Sequence, residues 1–146
     1  MASNKYKVIY KELPIKDISF LRRESFSPTG NEKDFYRSLK KSISKHGLKD
    51  PVSIEYGGDR YGDKFKIIVG NNRMVIAEEL GINKIPALIV NYKPDTFNIE
   101  GKVLNSDEEI RSYFYLPDKV QVRRNKEGII DQIMPHYYME VKHLYV

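Results

Sequence analysis

Cysteine and tryptophan are absent from the 146 residues. Without cysteine there are no disulfides, no thiolate nucleophile and no cysteine-ligated zinc or iron–sulfur centre. That composition fits a reducing compartment. Long apolar runs are missing too: nothing approaches the roughly 18 residues of a membrane-spanning helix, and the opening "MASNKYKVIYKELP" has no apolar core of a signal peptide. The expected location is the cytoplasm, with no membrane partner. Histidine is scarce, and His46, His136 and His143 are too scattered for a sequence-evident metal motif. No internal repeat or low-complexity tract occurs.

What remains is a chain of one-domain length with 40% hydrophobic residues and a net charge of +5. Excess positive charge favours acidic partners such as nucleotides or nucleic acid. Eleven tyrosines stand in for the missing tryptophan. Those of the last third, Tyr113, Tyr115, Tyr137, Tyr138 and Tyr145, are interleaved with cations. They suit core filling or an interface first, and a base-stacking groove second.

The pattern along the chain alternates strands and helices. Lys7 to Leu13 reads as a strand closed by Pro14, with Ile15 and Ile18 as apolar anchors of the segment after it. A polar stretch with Pro28 and Gly30 is a loop. From Asn31 the period becomes helical: Phe35, Leu39 and Ile43 share one face, Asn31 stands as N-cap and Gly47 as the stop. Lys33, Arg37, Lys41 and Lys45 share another face of this helix. That basic stripe is either a solvated surface or a nucleic-acid contact. "DPVSIEY" and "KFKIIVG" read as two strands flanking an irregular hairpin rich in glycine, "YGGDRYGDK". A second helix follows, with Met74, Ala77 and Leu80 inward, Val75 and Ile76 partly inward, and Gly81 as its stop. "KIPALIVNY" is then a strand apolar enough for a covered sheet.

Beyond Tyr92, a short edge strand within "KPDTFNIEGKVLN" precedes a capping box at Ser106-Asp107-Glu108-Glu109. A strand through Val120 and Val122 and a turn at Asn125 to Gly128 come next. Ile129 to Met134 fits helix and strand equally well. The expected organisation is a core over residues 1–92 with an extension over 93–146 packed on the same domain.

Gly70-Asn71-Asn72-Arg73 sits at the seam between a buried strand and a helix. Helix N-termini present unpaired amides, so this seam is a candidate anion site: glycine permits close approach, and arginine offers a two-pronged contact to phosphate. The same residues are also ordinary turn and capping residues. Glu78 and Glu79, adjacent on a helix, point about 100° apart and cannot both reach one pocket. Asp50 and Glu24 have no supporting pattern, and no local acidic cluster suits a two-metal nuclease.

Three pieces in order, "SLKKSISKHGLKDPVSIE", "KIIVGNNRMVIAEELG" and "INKIPALIV", resemble the ParB/sulfiredoxin-like superfamily, above all the N-terminal domain of ParB partition proteins, over Ile15 to Tyr92. The resemblance implies an α/β (α+β) fold, a small mixed sheet flanked by helices with a C-terminal extension. It implies a nucleotide, as tri- or diphosphate and with or without magnesium, beside Gly70, Asn71, Asn72 and Arg73. Gly47, Leu48 and Pro51 would form the opposite wall. Apart from the resemblance, the Arg22-Arg23 pair is a candidate to close over such a ligand with further cations. A standalone domain of this size is the sort carried by phages and mobile elements.

Departures from the family pattern are specific. Asn71 and Asn72 stand where ParB has glutamate and arginine, which removes a carboxylate and a cation from the phosphate turn. Sulfiredoxin needs a cysteine beside that glycine. Free-serine kinases have an aspartate before it and a histidine–threonine pair after, where this chain has Val69 and Asn71-Asn72. No catalytic residue and no metal ligand is therefore assigned. Nucleotide binding is the first expectation, with DNA, a second copy of the chain or another protein as further partners. A non-catalytic DNA-binding or interaction module and a metal-dependent nuclease are the alternatives. Arg73→Ala is expected to weaken nucleotide binding and leave the fold intact.

Overall fold

A computed structural model describes residues 6–21, 31–58 and 64–135, with side chains from residue 36 onward in the second stretch. The expectations for Arg22, Arg23, the Lys33 and Phe35 side chains, the hairpin tip, His136, His143 and the last three tyrosines fall outside them.

The described residues form a mixed six-stranded sheet, a two-stranded sheet and three α-helices. β1 (Lys7–Pro14), β2 (Ile18–Ser19), β3 (Val52–Tyr56), β4 (Phe65–Val69), β5 (Lys84–Asn91) and β6 (Lys102–Leu104) build the large sheet in the order β2-β4-β3-β5-β1-β6. α1 (Asn31–His46) and α2 (Asn71–Glu79) lie between strands in sequence. β1 and β5 pair antiparallel over eight residues, β3 and β5 pair parallel, and β3 and β4 form the expected irregular hairpin with a register shift at Ser53/Ile54. The two edge strands are only two and three residues long, which limits pairing with other chains.

Alternation along the strands sorts the core into two layers. On one face Ile9, Leu13, Val52, Ile54, Ile85, Ala87 and Ile89 pack with Met74, Val75 and Ala77 of α2. On the other, Val8, Leu88 and Val90 pack against Ile110, Phe114, Val120, Ile130 and Ile133. Those partners come from α3 (Asp107–Arg111), from the turn after it, which carries Phe114, and from the hairpin of β7 (Val120–Arg124) and β8 (Ile130–Pro135). Residues beyond 104 thus cover the second face of the sheet at β1, β5 and β6.

Ile129 to Met134, open between helix and strand in sequence, is strand: β8 pairs antiparallel with β7. Tyr92 donates from its hydroxyl to the Ile130 carbonyl at 2.8 Å, and the buried Ser53 hydroxyl donates to the Ile133 carbonyl. Burial pushes the Tyr92 phenol up to about 12, with Glu55 and Asp131 adding to the rise. At α3 the Ser106 hydroxyl accepts from the Glu109 amide at 3.1 Å, and the Glu109 carboxylate accepts in return from the Asn105 amide, one residue earlier than in the standard box. Arg124 forks onto both Asp107 oxygens at 3.0 and 2.7 Å and holds that carboxyl below its usual range.

α1 ends where Gly47, at φ 74°, donates to the Ile43 carbonyl. Leu39, Ile43 and Tyr36 pack on Ile76 of α2. This contact corrects one detail of the sequence pattern. Val75 and Ile76 are fully buried and Leu80 only partly, because α2 is sandwiched between the sheet and α1 and buries more than one stripe.

Candidate functional site

Gly70 leaves β4 at φ 114° and becomes the N-cap of α2, with no side chain capping the helix. Its carbonyl accepts from the Met74 amide at 3.0 Å, the first turn of the helix. A side chain here fails on two grounds. The backbone lies in the left-handed region, and a Cβ would stand 2.7 Å from Val52 Cγ1 and 2.8 Å from Arg73 Nη2. The amides opening α2 carry the positive end of the helix dipole.

The three polar residues after Gly70 do different things. Asn71 accepts from the Leu21 amide at 2.9 Å and donates to the Leu21 carbonyl at 3.1 Å, pairing with that residue as a strand neighbour would. Its amide fixes the chain just ahead of Arg22-Arg23. Asn72 is half-buried beside it. Arg73 is only 3% exposed, and its Nη1 donates to the carbonyls of Asp50 at 2.8 Å and Pro51 at 3.1 Å. The guanidinium therefore holds the α1–β3 connection against α2.

That connection is the proposed opposite wall, and the structure brings Pro51 beside the Gly70 turn through Arg73 and Val52. Leu48 packs beneath, against both the sheet core and the α1–α2 contact, and Gly47 sets the bend before it. Asp50, which no sequence pattern supported, is a fixed point of the wall. It is 1% exposed, and its Oδ1 accepts from the Tyr115 amide at 2.7 Å. Lys49 Nζ lies 5.2 Å from the centre of the exposed Tyr115 ring. The extension is thus latched to the wall by a carboxylate 65 positions earlier, a pairing with no local signal.

Other candidate residues lie apart from the turn. Tyr36 donates to the Glu79 carboxylate, and Lys40 pairs with it at 3.5 Å, so Glu79 bridges α2 to α1 while Glu78 is exposed. Among the described residues no three His, Asp or Glu side chains converge as a metal site. His46 is exposed at the end of α1. Arg37, Lys41 and Lys45 are exposed along α1, one turn apart. Of the late tyrosines, Tyr113 stacks on Tyr10 with ring centres 4.4 Å apart.

Residues 2–101 match the family model described as the ParB N-terminal domain. A probable chromosome-partitioning protein ParB of Mycobacterium leprae is 25% identical over 134 residues, 84% of this chain and 39% of that protein. This chain therefore spans well under half of that relative. Among solved structures, sulfiredoxin from Arabidopsis thaliana superposes with a TM-score of 0.42 at 23% identity, covering 56% of this chain and 83% of that one. The C-terminally truncated ParB of Caulobacter crescentus complexed with CTP-gamma-S gives 0.41 at 17% identity, covering 70% and 59%.

Proposed function

The chain belongs to the ParB N-terminal domain family, and from that premise we propose that it binds a nucleotide by its phosphates at the amides of Asn71, Asn72 and Arg73. The observation that carries the reading is the uncapped start of α2 behind a left-handed Gly70. A phosphate there would accept from backbone N–H groups and sit at the positive end of the helix. Arg73 contributes charge at short range while holding the wall, and the Asn72 side chain is the polar group of the pair left for the ligand. Arg22 and Arg23, which follow the Leu21 clasp, supply cations for the outer phosphates. Magnesium, where the nucleotide carries it, would be held by phosphate oxygens and not by a protein carboxylate cluster. No turnover is part of the proposal.

Asn72→Asp separates binding from folding. An acidic residue in the first turn of a helix stabilises it by about 0.3–1 kcal/mol, yet repels a phosphate at the same place. Titration of ATP, ADP, CTP and GTP should give affinity for at least one of them that falls about tenfold or more in the variant, with a melting temperature at or above that of the parent. Equal affinity in the two proteins rejects the cradle.

A second reading rests on the exposed row of Arg37, Lys41 and Lys45 on α1, which would lie along a phosphate backbone. It requires DNA affinity that falls steeply with salt and needs no nucleotide.

A further inference from the structure

The end of β4 opposite to Gly70, about 16 Å away along five residues of strand, carries a different feature. Tyr56 at the end of β3 stacks on Phe97, with ring centres 4.3 Å apart and planes 19° apart, and Phe65 tilts against Tyr56 at 5.3 Å. Tyr56 is buried, whereas Phe97 is 39% exposed. One face of the Phe97 ring is taken by Tyr56, and the residue remains exposed where it lines a concavity.

This ring is held in place by a dedicated arrangement. Asn91, the last residue of β5 and 1% exposed, accepts from the Lys93 amide at 2.9 Å and donates to the Phe97 carbonyl at 2.8 Å. Within the turn the Phe97 amide donates to the Lys93 carbonyl at 2.9 Å. One buried side chain thus clamps both ends of a five-residue turn that sets an aromatic ring at the surface. The ring borders a concavity of about 580 Å³ shared with Tyr56, Phe65, Lys16, Lys64 and Asp17. Lys16 and Lys64 are exposed beside it, and among the described residues Asp17 is the one carboxylate that lines it.

We infer that this concavity binds single-stranded DNA, with one base stacked on Phe97 and the neighbouring phosphates against Lys16 and Lys64. A rigid ring with a free face suits any base, because every base has a π-face, and flanking ammonium groups suit the backbone on either side. An apolar peptide would use the rings but leave both lysines without a role. Duplex DNA hides its base faces, so the ring selects an unpaired strand. The site is independent of the Gly70 turn and stands or falls without it.

Fluorescence anisotropy with a labelled oligothymidylate of about twelve nucleotides, within the span of common single-strand sites, provides the test. Phe97→Leu keeps an apolar contact on Tyr56 and removes the ring. It should weaken binding about tenfold with its circular dichroism unchanged. An abasic strand of equal length should bind the parent protein about as weakly as the variant binds oligothymidylate, a comparison that needs no substitution at all. Lys16→Gln with Lys64→Gln should flatten the dependence of log affinity on log salt by about 1.4, the value for two single-strand phosphate contacts. Equal binding of the abasic and thymidylate strands, equal binding of duplex, or no binding of any strand overturns the inference.

Discussion

Arg73 has two assignments that its position in sequence does not distinguish. In the first turn of a helix after a glycine it reads as a cation facing solvent or ligand, and from there Arg73→Ala is expected to be silent for folding. Its burial and its two bonds to carbonyls reverse that expectation. Truncation leaves a void and strips a charged donor from the Asp50 and Pro51 carbonyls, for a loss of about 2–4 kcal/mol. Urea denaturation should show it as a lowered midpoint with an unchanged slope. Arg73→Lys should not rescue it fully, since both carbonyls are met by Nη1 of a delocalised guanidinium, and a more strongly hydrated ammonium costs more to bury there. The burial was not legible because its partners arrive 23 and 22 positions away. Asn71 is a similar case: its partner Leu21 lies 50 positions off, and nothing near Asn71 announces it. Gly70, by contrast, was legible, because left-handed backbone demands glycine locally.

At the level of elements, local signals served best where they were periodic. β1, α1 with its Gly47 stop, the β3–β4 hairpin and the Ser106 cap all follow from spacing and from turn chemistry. β8 did not, since a short apolar run is compatible with either helix or strand until β7 supplies a partner. The same strand shows what the extension does. Val8, Leu88 and Val90, each 3% exposed or less, face Ile110, Val120, Ile130 and Ile133. A chain ended at residue 101, where the family match stops, would open that layer to water. Such a fragment should lack a cooperative thermal transition by circular dichroism, while the full chain melts in one step. A fragment that melts cooperatively would show that the α3 and β7–β8 layer is dispensable.

For the whole molecule, sheet order and layering place the Gly70 turn and the Tyr56–Phe65–Phe97 cluster at opposite ends of β4. The sequence pattern singled out the Gly70 turn through its glycine and gave no sign of the aromatic cluster. Tyr56, Phe65 and Phe97 come from three separate segments, and their meeting depends on strand register and on the Asn91 clamp. Composition favours acidic partners for a chain of +5 charge without pointing to a place for them. The central claim concerns three backbone amides, and backbone amides are visible one by one in a nitrogen–proton correlation spectrum. Titrating the labelled protein with ATP, CTP, GTP and inorganic phosphate should move the resonances of Asn71, Asn72 and Arg73 most, saturably and together, for at least one nucleotide. Saturable shifts centred elsewhere, or three unmoved amides with every ligand, would contradict the account.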